Sequence, residues 1–239
     1  MNPRHRDRAE TSLYAFRENP SMVDFPGYLA AVFFISGCNF TFGFCHNPSL
    51  LRKRQAGLTW QRLEEACAHF KDNWTTAAVI TGGEPTLAED LPDLISFFRS
   101  LGWRVKLDTN GSRPGVLRDC LPLLDYVALD VKAGFSRYRE LTGFGEVERI
   151  AESIAILRDS GIDHELRTTV IDPFHDEDQL QEIAGIVRGA PRYVIQPFVP
   201  RDDVPDPDFR ALKRTSPDRL REARELVDGC AIEVLIRGE

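Results

Sequence analysis

Residues 77–87 read AAVITGGEPTL. A run of small and β-branched apolar residues, too short for a helix, meets two glycines, a glutamate and a proline. It then gives way to LPDLISFFRSLG at 91–102, where apolar residues recur at helical spacing and Gly102 supplies a stop. This is one strand–helix unit with a polar, glycine-rich junction. The same pattern recurs outward. Strands are expected at 30–36 (AAVFFIS), 77–81, 103–109 (WRVKLDT), 126–132 (YVALDVK), 164–171 (HELRTTVI) and 192–198 (RYVIQPF), with a last one at 231–236 (AIEVLI). Between them, Trp60, Leu63, Cys67 and Phe70 fall on one helical face, and 147–161 ends in Gly161. The helix at 176–189 opens with acids and closes with Arg188 and Gly189, and another spans 217–228. RDDVPDPDF at 201–209 reads as an extended loop. Six units in alternation imply an α/β fold with parallel strands and right-handed crossovers. Periodicity leaves an open doubly wound sheet and a partial barrel both available.

The residues at and just after the strand ends carry the chemistry. They are Gly37 and Cys38; Gly82, Gly83 and Glu84; Asp108, Thr109 and Asn110; Asp130 and Lys132; Arg167 to Thr169; and Gln196. Parallel α/β folds bring such strand ends to one face, where sites are built. The TGGEP stretch taken alone could be a turn; as a site, its glycines would let backbone approach a ligand and Glu84 would bind an amine. Asn110-Gly111 could mark a hairpin, but the helical pattern that follows argues against it. Asp130 and Lys132 could be a plain ion pair, and alternation sets both on one side of the strand, as a shared ligand contact also requires.

The composition, 42% hydrophobic and 28% charged, is that of a soluble globular protein. A net charge of −7 argues against a general nucleic-acid binder; LLRKRQ at 50–55 is the best candidate for a local basic strip, and Arg4, His5, Arg6 and Arg8 read as a solvated N-terminus. No apolar run is long enough to span a bilayer and no export signal is legible, so a cytoplasmic protein with reduced thiols is expected. Five scattered cysteines do not form a disulfide framework. Cys67, Cys120 and Cys230 read as structural. Cys38 and Cys45, in SGCNFTFGFCHNP (36–48), read as candidate metal ligands, and His46 as a loop hydrogen-bonding residue. Residues 1–20 are set apart as an N-terminal extension and 21–239 as a single domain; whether the extension folds is open.

Together, SMVDFPG (21–27), GCNF…CHNP (37–48), ITGGEPTL (80–87), VKLDTNGS (105–112), VALDVKA (127–133), RTTV (167–170) and RYVIQPF (192–198) resemble the radical S-adenosylmethionine (SAM) superfamily. More narrowly, they resemble the activating proteins of anaerobic ribonucleoside-triphosphate reductase. The resemblance implies a partial (β/α)6 barrel. It also implies a [4Fe–4S] cluster on a C-x3-C-x2-C motif, SAM on the fourth iron, and hydrogen abstraction from a glycine of a glycyl-radical reductase. The electron donor would be a flavodoxin or ferredoxin. It assigns Cys38 and Cys45 to the cluster, Glu84 to the SAM amine, and Asp108, Thr109, Asn110, Asp130 and Lys132 to its surroundings. Phe44 falls to the adenine, and Gly82 and Gly83 to the SAM-binding loop. Phe42 stands where the second cluster cysteine belongs, and Thr41 and Gly43 also depart from the family pattern. Three readings of Phe42 are open: a cluster-deficient SAM- or partner-binding relative, a site completed by a ligand from elsewhere, or a variant of an ordinary member. Another small radical SAM enzyme, such as a deazapurine synthase, is the alternative activity.

Overall fold

The computed structural model describes residues 9–51 and 56–238. Its strands are β1 (Leu13–Phe16), β2 (Ala30–Ile35), β3 (Ala77–Gly82), β4 (Arg104–Thr109), β5 (Tyr126–Asp130), β6 (Asp163–Val170), β7 (Arg192–Pro197) and β8 (Glu233–Ile236), ordered in the sheet as in the chain. Its helices are α1 (Pro48–Leu51), α2 (Trp60–Asp72), α3 (Leu91–Ser100), α4 (Pro114–Cys120), α5 (Tyr138–Thr142), α6 (Val147–Ser160), α7 (Glu177–Ile186), α8 (Pro207–Ala211) and α9 (Pro217–Leu226). Two compact units divide the chain: residues 1–38, 49–109 and 115–127, and residues 39–48, 110–114 and 128–239.

In the first unit, β2, β3 and β4 run parallel, with Ile35 paired to Gly82 and Leu107 to Ile80. Strand alternation sorts the two faces. Ala30, Val32, Ala77 and Val79 pack with Phe25 and Tyr126 on one. On the other, Phe33 meets Phe98 of α3 at 4.7 Å and Phe70 of α2 at 6.1 Å. Thr59 caps α2 by accepting from the Arg62 N–H. Cys67 and Cys120 are buried as expected, and burial, with Glu64 and Asp119 adding to it, pushes their thiols up to about 12 and about 11. Part of the N-terminal extension does fold: Leu13–Phe16 form β1, antiparallel to β2. The basic strip at 50–55 lies mostly outside the described residues.

In the second unit, β6, β7 and β8 run parallel, with Thr169 opposite Gln196 and Val194 opposite Leu235. Asp176 caps α7 through the Gln179 N–H, and Gly161 closes α6 in the left-handed conformation at φ 68°. The loop expected at 201–209 is shorter than the sequence suggests. Asp206 accepts from the Asp208 N–H and Pro207 takes the first helical position, so α8 begins inside it. Among the described residues no helix is long and apolar enough to cross a membrane.

Candidate SAM-binding strand ends

In the first unit the ends of β2 and β3 are stitched together by backbone. The Gly83 N–H donates to Ile35 O and the Glu84 N–H to Gly37 O, both at 2.8 Å. A Cβ on Gly82 would lie 2.3 Å from Ile35 O, and one on Gly83 would lie 2.0 Å from Gly37 O. The close approach these glycines permit is therefore to the end of β2, and it fixes the backbone that leads into Cys38. Glu84 is buried. Its Oε1 accepts from the Thr86 N–H at 3.0 Å, from the Thr86 hydroxyl, and from the Thr109 hydroxyl at 2.7 Å. Asp108 pairs with the buried Lys106 ammonium at 2.8 Å, a partner the sequence reading missed because Lys106 sits mid-strand.

The second unit holds Asp130 and Lys132. Asp130 accepts from Lys132 at 2.9 Å and from Arg167 Nε at 2.7 Å. Burial works against the carboxylate, but Arg167 and Lys132 outweigh it and hold Asp130 well below the usual carboxylate range. The chain of charges continues through Glu165, 4.0 Å from Arg167, to Arg237, which binds Glu165 through two nitrogens at 2.8 and 2.7 Å. Glu165 and Arg237 carry no sequence signal, since only the register of β6 and its neighbours brings them together. Asn110 donates to Asn39, which donates to Ser112.

Phe44 and Cys45 lie in the same unit and are buried. Phe44 packs between Phe42, at 4.5 Å, and Phe209, at 5.5 Å. Burial pushes the Cys45 thiol up, against the pull of the Asn47 backbone and Lys132. His46 Nε2 donates to the Val199 carbonyl at 3.0 Å and its ring stacks on Phe198, the loop role expected of it.

The Radical SAM superfamily model matches residues 32–186. The chain belongs to the radical SAM superfamily. A protein of Methanocaldococcus jannaschii, provisionally named a glycyl-radical enzyme activating enzyme, is 32% identical over 91% of this chain and 92% of its own length. The pyruvate formate-lyase-activating enzyme of Streptococcus mutans is 27% identical over 91% of each chain. A radical SAM methyltransferase from Sphaerobacter thermophilus superposes with a TM-score of 0.69, covering 89% of this chain and 67% of its own at 16% identity, a likeness of fold alone. The fold is thus the α/β partial barrel of the radical SAM superfamily.

A radical SAM protein implies a [4Fe–4S] cluster and SAM. The residues present do not fit the cluster. Phe42 has no lone pair for iron where a third thiolate belongs. Among the described residues no three His, Cys, Asp or Glu side chains gather as a metal-holding group. His46, the nearest alternative in sequence, already makes the contacts given above.

Proposed function

We propose that this chain serves a glycyl-radical enzyme as its activating-family partner, binding SAM at the strand ends and docking the protein that carries the glycine. The observation that carries this reading is the likeness along 91% of the chain to relatives named for that task. Anaerobic ribonucleoside-triphosphate reductase is the partner we assign, on the motifs of strands β2 to β7, in the cytoplasm. Glu84 would take the SAM amine, with Gly82 and Gly83 lending backbone. Asp108, Thr109, Asn110, Asp130 and Lys132 would surround the methionine end, and Phe44 would face the adenine.

Reductive cleavage of SAM is the reaction of the family, with a flavodoxin or ferredoxin as donor. Cys38 and Cys45 are the two thiolates of the motif that this chain offers to iron, so the reading for the unmodified chain stops at SAM binding and docking.

Calorimetric titration of the chelator-treated chain with SAM tests the first half, and surface-plasmon binding to the purified reductase tests the second. Saturable SAM binding that Glu84→Gln weakens at least tenfold, together with reductase binding, is expected. Absence of both in a folded chain overturns the proposal.

A further inference from the structure

The loop that departs from the family pattern makes specific contacts within its own unit, although Thr41 is exposed and Phe42 half-buried. Thr41 donates its N–H to Thr142 O at 2.9 Å, and Gly43 accepts from the Asp206 N–H at 3.2 Å. A Cβ at position 43 would fall 2.6 Å from Asp206 Cβ and 2.7 Å from the Phe209 ring, so glycine is required there. Gly143, in the left-handed conformation at φ 72°, makes the matching approach to Thr41, whose hydroxyl lies 2.4 Å from where a Cβ would stand. Phe42 meets Phe44 with ring centroids 4.5 Å apart and planes tilted by 38°, and the Lys132 ammonium stands 5.2 Å from the centroid of the Phe42 ring. The ladder continues from Phe44 to Phe209, and from there to Phe174 at 5.1 Å and Phe198 at 6.3 Å. Each of the three departures, Thr41, Phe42 and Gly43, therefore has its own partner in the fold.

Where a metal organises a loop, binding free energy is folding free energy, and the loop loosens when the metal leaves. Here backbone hydrogen bonds, stacked rings and a cation over a ring face do that work. We infer that residues 39–48 form a metal-independent aromatic element, in which Phe42 orders the loop in place of a cluster, and that the unmodified chain holds no three-thiolate [4Fe–4S] cluster. Phe42 is thereby a structural member of the loop, and its replacement by cysteine removes a packed ring as well as adding a donor.

Hydrogen–deuterium exchange of the full chain, purified, chelator-treated and anaerobically reconstituted, tests this alongside iron and acid-labile sulfide counts. Exchange across 40–46 should agree within about twofold in all three states, with iron far below the about four atoms per chain of a complete cluster. Phe42→Ala should speed exchange there about tenfold without any iron being involved. If that variant does not fold, Phe42→Leu keeps the bulk, loses the ring, and should still speed exchange. Two results overturn the inference: about four irons and sulfides per unmodified chain with protection gained only on loading, or exchange unmoved by loss of the ring. Neither SAM nor the reductase enters this assay, so its failure would leave the binding reading untouched, and the reverse holds too.

Discussion

Asp130, the last residue of β5, and Arg167, within β6, stand 2.7 Å apart, with Lys132 on the carboxylate's other oxygen. Asp130 thus bridges two cations that are nearly buried, with side-chain exposures of 12% for Arg167, which Glu165 also approaches at 4.0 Å, and 13% for Lys132. Removing the acid takes away the closest counter-charge of both cations in a poorly solvated place, with Glu165 still near Arg167.

Asp130→Asn should therefore lower stability by about 2–4 kcal/mol, read as a shifted urea midpoint at pH 7. The depressed native pKa of Asp130 adds a second signature. Its contribution is whole above the unfolded value of 3.8 and is lost as pH falls through the lower native value. The variant should accordingly show a shallower loss of stability below about pH 4 than the parent. Equal slopes would show that the carboxylate is not held ionised in the folded chain.

His175 gives the neutral-pH counterpart. Its Nδ1 accepts from the Ile171 N–H and its Nε2 donates to Lys132 O at 2.9 Å, so the neutral ring is the one that fits. Burial lowers its pKa, and nearby Arg219 adds to this; the backbone bonds to Lys132 and Ile171, and Asp172, oppose it. The unfolded chain takes up a proton near pH 6.5 and the folded one only below that, so stability falls as pH drops through this window. The slope steepens below the unfolded value toward a limit of about 1.4 kcal/mol per pH unit for one proton. His175→Gln should remove that slope between pH 6.5 and 5.5 whatever its effect at pH 7.5. His46 and His164 shift the same way through burial, so the parent's total loss should exceed the His175 share.

Two alanine substitutions should act in opposite directions. Gly83→Ala forces a methyl onto the Gly37 carbonyl and should cost about 1–3 kcal/mol, because backbone on both sides must give way. Gly115→Ala, inside α4 with no atom within 4 Å of the new Cβ, should add about 0.4–1 kcal/mol. Thermal denaturation of the pair decides the matter, and a similar shift for both would mean the β2–β3 junction yields more easily than its geometry implies.

The cysteines should separate by reactivity. Cys38 is half-buried, whereas Cys67 and Cys120 lie in the core with thiols pushed up to about 12 and about 11. Iodoacetamide at pH 8 should label Cys38 first, and Cys67 and Cys120 only after denaturation. Mass mapping of a time course checks this, and early labelling of Cys67 would place α2 outside a stable core.

Much of the fold was legible before any coordinates. The runs at 77–81 and 192–198 became β3 and β7 to within a residue, and the Asp176 and Gly161 signals fell at the ends of α7 and α6. β1 was not legible, because LYAF is too short for alternation to stand out and gains its partner only through Ile35, Phe34 and Phe33. The start of α8 inside 201–209 was hidden for a similar reason: one capped turn leaves no periodicity to count.

By itself, the sequence determined the alternation of strands and helices and the polar residues at the strand ends. Both are local, written in spacing and residue chemistry. Only the tertiary structure decided what those residues touch. Arg167 reaches Asp130 across 37 residues and Arg237 reaches Glu165 across 72, and Gly83 is held to glycine by the carbonyl of Gly37. The register of parallel strands brings such pairs together, and register is a property of neighbours far apart in the chain. The same holds for Phe42: the family resemblance marks a missing ligand there, while Phe44 and Lys132 packed against the ring make that residue part of the fold.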